Sequence, residues 1–99
     1  MISPTDISAA ASHVLAQYDV SEAYLFGLFA RGEQTPDSDI DLRLVCGSTM
    51  TFGTLYELSY VLEKELGQKV DIVTNPPEHM RPAFRKSIDQ DEVRVYEAE

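Results

Sequence analysis

The sequence predicts a layered α/β (α+β) domain, a small sheet packed against helices. Three observations carry that expectation. Two stretches repeat apolar residues at helical spacing, residues 7–18 and 52–66. Short apolar or alternating runs lie between and after them, at 23–26, 39–45 and 70–73. The order helix, strand, strand, helix, strand, helix interleaves the two kinds of element, as when helices cover a sheet. At 99 residues the chain is read as one domain, 1–99.

The elements follow in order. Ser3-Pro4-Thr5-Asp6 is a helix start, with Ser at the cap, Pro in the first turn and an acid near the N-terminus. Ile7, Ala11, Val14, Leu15 and Tyr18 then share one face of a helix running to about residue 17. His13 lies off that stripe and reads as a solvated side chain. Ala23, Tyr24, Leu25 and Phe26 form an apolar run ending at Gly27, which suits a strand buried on both faces. Leu28-Phe29-Ala30-Arg31 makes one helical turn, stopped by Gly32. Thr35-Pro36-Asp37-Ser38 has loop composition. Along 39–45, Ile40, Leu42 and Leu44 point one way, and Asp39, Asp41 and Arg43 the other. Phe52, Leu55, Leu58, Ser59, Leu62 and Leu66 mark a helix ended by Gly67. Val70-Asp71-Ile72-Val73 is a short strand closed by Asn75-Pro76-Pro77. A weaker helix is expected over 78–88, interrupted by Pro82, and an edge strand over 93–96.

Charge excludes some functions. Eight Lys and Arg against 17 Asp and Glu give a net charge of −9. A protein that grips nucleic acid by its phosphates presents a basic face, so no nucleic-acid partner is expected. The one basic cluster, Arg81, Arg85 and Lys86, reads as a solvated helix face. No apolar run approaches the roughly 20 residues of a membrane span, and no basic-then-apolar leader opens the chain. A single cysteine, Cys46, forms no internal disulfide, which fits a reducing cytoplasm. It reads as a small buried hydrophobe at a strand end.

The chemistry-bearing stretch is 27–41. Asp39 and Asp41 are two apart on a strand, so they share a face, with Cα atoms roughly 6–7 Å apart. Carboxylates so placed raise each other's pKa unless a cation intervenes. Mg²⁺ resolves the conflict, since it takes carboxylate oxygens together with substrate phosphates and water. Alone, an Asp-x-Asp on a solvent-facing strand is two solvated acids. Here Gly27 precedes it at a strand-to-helix junction, where backbone N–H groups can approach an anion. Arg31 adds a planar cation suited to phosphate, its plain alternative being a salt bridge to Glu33 or Asp37. Asp71, between Val70 and Ile72, is a third acid that needs a partner unless it faces water. Arg43 stands beside the acids as a partner for Asp41 or Asp71, or for substrate.

Gly27-Leu28-Phe29-Ala30-Arg31-Gly32 through Ser38-Asp39-Ile40-Asp41-Leu42 resembles the signature of minimal nucleotidyltransferases in the DNA polymerase beta-like superfamily. That signature is Gly-Ser, ten residues, then Asp-x-Asp, often with Ala-Arg-Gly early in the spacer; residues 29–38 are the ten. Val70-Asp71-Ile72-Val73 is similar to the strand bearing the family's third acid. The resemblance implies the nucleotidyltransferase fold, a small mixed sheet packed against helices. It implies that Asp39, Asp41 and Asp71 are catalytic and bind two Mg²⁺ ions, with Asp71 also helping to deprotonate the attacking hydroxyl. It places Gly27, Leu28, Arg31 and Ser38 at the nucleotide, ATP or another nucleoside triphosphate. It further implies transfer of a nucleoside monophosphate, AMP from ATP, to a hydroxyl on a HEPN-domain toxin, the chain being its antitoxin.

One position departs from the family. Leu28 stands where the signature has Ser. The hydroxyl is lost and the backbone N–H remains. A hydrogen bond to a charged group is worth about 1.5–3 kcal/mol, or about one to two powers of ten in rate. Two other functions share the same residues: a nucleotidyltransferase-fold antitoxin that acts by binding alone, and a small-molecule nucleotidyltransferase.

Overall fold

The computed structural model describes residues 2–74, 82, 86 and 92–98. Seven elements run in the order α1 (Pro4–Leu15), β1 (Val20–Phe26), α2 (Leu28–Arg31), β2 (Ile40–Cys46), α3 (Phe52–Leu66), β3 (Val70–Val73) and β4 (Val93–Glu97). Of the expected helix over 78–88 only Pro82 and Lys86 are described, both helical; the rest of it, with Arg81 and Arg85, and the closing Asn75-Pro76-Pro77 lie outside the described residues. Among those described, no helix is long and apolar enough to cross a membrane.

Local chemistry sets the helix ends. The Ser3 side chain accepts from the Asp6 N–H at 3.2 Å, and Asp6 answers by accepting from the Ser3 N–H at 2.9 Å. This capping box satisfies donors that the first turn leaves open. Thr51 caps α3 with a single bond of this kind, its side chain accepting from the Thr54 N–H at 3.1 Å. Gly67 ends that helix in the left-handed conformation, φ 72°, which glycine adopts without a Cβ clash.

The four strands form one mixed sheet in the order β3-β2-β1-β4. β1 is antiparallel to β2 and to β4, whereas β2 and β3 are parallel. β1 begins at Val20, three residues before its apolar run. Ile7, Val14 and Leu15 of α1 and Leu58 and Leu62 of α3 pack on Ala23, Leu25, Ile40, Leu42, Leu44 and Val70. These side chains are 0–4% exposed, and burying each large one contributes about 1.5–3 kcal/mol. The alternation of β2 therefore behaves as expected: its apolar residues meet the helices, and Asp41 and Arg43 take the opposite face. A register shift opposite Ala23 and Tyr24 makes room for Val95, whose carbonyl accepts from Ser8 Oγ of α1 at 2.9 Å. Phe52 departs from expectation. Its spacing fits the apolar stripe of α3, yet it is 94% exposed because the first helical residue overhangs the core.

Candidate active site

Two neighbouring strands, β2 with the residue just before it and β3, deliver the acids. The parallel register pairs Asp41 of β2 with Asp71 of β3, so their side chains leave the same face of the sheet. Asp39, two residues before Asp41, shares that face by alternation. The side chains of Asp39 and Asp71 are 41% and 49% exposed. Asp41 is half-buried, and burial, with the charges of Asp71 and then Asp39, pushes its carboxyl up to about 6. Asp71 and Asp39 thus act electrostatically on Asp41.

Gly27 closes the site from behind. It takes φ 79° and ψ −153°, a region that side chains disfavour. A Cβ built there would lie 2.5 Å from Asp41 Oδ2. The missing side chain is the space that the Asp41 carboxylate occupies. α2 follows at once, its Arg31 N–H donating to the Gly27 carbonyl at 3.2 Å. Leu28 sits at this junction 38% exposed. Arg31 Nε lies 3.3 Å from Glu33 Oε2, one of the two pairings expected for it.

Ser38 is buried and turned into its own loop. Its Oγ accepts from the Thr35 N–H at 2.8 Å, and its carbonyl accepts from Gln68 Nε2 at 2.7 Å. Both contacts fix where the chain enters β2 and hence where Asp39 projects. The Ser38 hydroxyl is engaged within the loop.

Arg43 does not pair with Asp41 or Asp71. Its guanidinium makes two 2.8 Å hydrogen bonds to the Glu92 carboxylate, and its Cζ lies 4.5 Å from the Tyr24 ring centroid. Among the described residues, the cation that does reach the acids is Lys69. Its Nζ is 3.9 Å from Asp39 Oδ2 and 3.8 Å from Asp71 Oδ1. The sequence carries that signal in plain form: Lys69 is two before Asp71, hence on its face.

Among the described residues, no three His, Cys, Asp or Glu side chains close into a ready-made metal cage. The geometry is an open set of carboxylate oxygens with a backbone turn beside it. Hard oxygen ligands of this kind suit Mg²⁺, which commonly completes its shell with water and substrate phosphate.

A mixed sheet with helices on one face and acids on the other, behind a glycine turn, defines the nucleotidyltransferase fold. The polymerase beta nucleotidyltransferase family matches residues 10–99, and the chain belongs to that family. It is 42% identical over 81 residues to a candidate protein adenylyltransferase of Methanocaldococcus jannaschii, covering 80% of each chain. A toxin–antitoxin structure solved with AMP-PNP superposes with a TM-score of 0.73 at 20% identity, over 93% of this chain and 74% of that one. A tri-AMPylated Shewanella oneidensis HEPN toxin in complex with an MNT antitoxin gives 0.55 at 19% identity, over 81% of this chain and 59% of that one. At these identities the two structures establish the fold.

Proposed function

We propose that the chain transfers AMP from ATP to a hydroxyl on a HEPN-type toxin protein and so acts as its antitoxin. The observation that carries this reading is the pairing of Asp41 with Asp71 across parallel strands, with Asp39 on the same face. The relative named for protein adenylylation supports a protein acceptor. The AMPylated toxin seen with an MNT antitoxin supports a HEPN acceptor.

Asp39, Asp41 and Asp71 would hold two Mg²⁺ ions. The donor chemistry fits, and the like charges crowded around Asp41 are what a cation relieves. Bound metal supplies charge compensation at the triphosphate and at the attacking oxygen. The chain's own groups do the rest. The Gly27–Leu28 backbone faces the β- and γ-phosphates, and Arg31 offers a guanidinium one turn on. Ser38 acts through its loop, by fixing Asp39. The acceptor oxygen forms a bond to the α-phosphorus while the bond from that phosphorus to the bridging oxygen breaks. Pyrophosphate leaves, and Asp71, half-exposed, helps to take the hydroxyl proton.

The test is mass spectrometry of a co-expressed HEPN partner for added AMP, with Asp39→Asn as the blank. Slow addition by the wild type is expected. Leu28→Ser should raise the rate by about one to two powers of ten, the worth of a hydrogen bond to a charged phosphate. No adduct from either chain would leave an antitoxin that acts by binding alone.

A further inference from the structure

Among the described residues, Lys69 is the cation in contact with the acids of the site, and its contacts are of an unusual kind. It reaches two different acids, Asp39 at 3.9 Å and Asp71 at 3.8 Å, and both distances are long for a charge-assisted hydrogen bond. Its side chain is 67% exposed. A screened, loosely held ion pair of this sort contributes little to stability. Its backbone, by contrast, is pinned, because the Lys69 carbonyl accepts from the Ile40 N–H at 2.9 Å. The base of the side chain is fixed at the β2–β3 junction, and its ammonium is free to move on a four-carbon stem.

We infer that Lys69 is a displaceable counter-ion that couples nucleotide binding to metal binding. Its ammonium spans Asp39 and Asp71, and so competes with a divalent cation for the same oxygens. When a metal–triphosphate complex arrives, the ammonium exchanges the carboxylates for phosphate oxygens. It then turns from competitor to partner. A bare divalent ion offers it no such exchange. The site thereby discriminates the metal–nucleotide complex from the metal alone. Lys69 is a positioning residue in this scheme, and the inference rests on the metal–nucleotide reading of the acid face.

Titration calorimetry decides it, with Mn²⁺ alone and with Mn²⁺ plus AMP-PNP. Lys69→Met keeps the length of the side chain and removes its charge. It should bind Mn²⁺ alone about three- to tenfold more tightly than wild type, and the Mn²⁺–AMP-PNP complex about three- to tenfold more weakly. Lys69→Arg should keep the wild-type order of both affinities. A wild type that binds both ligands while Lys69→Met leaves both affinities unchanged, or moves both in one direction, overturns the coupling role alone. A wild type that binds neither ligand overturns the metal–nucleotide reading, and this role with it.

Discussion

Gly27 is where the site tolerates least change. Its φ of 79° is unfavourable for any side chain, and the added methyl group of an alanine would meet Asp41 Oδ2. Gly27→Ala is therefore expected to lower stability by about 1–3 kcal/mol, readable as a lower denaturation midpoint, and to weaken AMP-PNP binding by displacing Asp41. Asp41 itself carries a pH signature. Its carboxyl titrates at about 6 in the fold and near 3.8 ordinarily, because burial and then Asp71 and Asp39 oppose its ionisation. Between those two values the native chain holds a proton that the unfolded chain has released. The group's contribution to stability therefore falls as pH rises through that window, and stays low above it. Asp41→Asn removes the effect. In metal-free buffer it should be more stable than wild type at pH 7.5, by about 1–2 kcal/mol once solvent screening is allowed for. The gap should close toward pH 4. Thermal melts with a chelator present check this, and an unchanged gap across the range would contradict the assigned cause.

At the scale of elements, the geometry of the acids depends on how β2 and β3 are held from behind. Leu58 and Leu62 of α3 are fully buried against that part of the sheet. Leu62→Ala should cost about 2–5 kcal/mol in chemical denaturation, the range for an aliphatic truncation that leaves a cavity. What was legible in the sequence is what local rules decide. The alternation of residues 39–45 assigns each side chain a face, since the pleat has a period of two. Gly67 ends α3 because only a left-handed residue closes the turn there. What was not legible depends on distant pairing. Arg43 finds Glu92, 49 positions along the chain, and nothing near either residue announces it. Asp71 comes level with Asp41 only through the parallel register, which four residues of β3 do not encode by themselves. Ser38 matches the expected motif, but a turn to Thr35 decides where its hydroxyl points.

At the scale of the molecule, two effects of added salt must be separated. A net charge of −9 on a body of about 33 × 30 × 24 Å repels itself, so any salt should stabilise the fold by screening. A divalent ion held by Asp39, Asp41 and Asp71 would add a second term, because ligand bound only by the native state raises stability by mass action. That term amounts to about 2.7 kcal/mol when the free ion is at a hundred times its dissociation constant. In a domain of this size, each kcal/mol shifts the melting temperature by about 4–8 °C. Thermal melts in NaCl and in MgCl₂ at matched ionic strength isolate the second term. The wild type should melt higher in MgCl₂, and adding a chelator should return it to the NaCl value. Asp39→Asn combined with Asp41→Asn should respond equally to the two salts, since seven-eighths of the acids that screening acts upon (15 of 17) remain while the site is gone. If the double variant kept the full MgCl₂ advantage, the ion would be acting on the acidic surface at large, and the three acids would lose their claim to it.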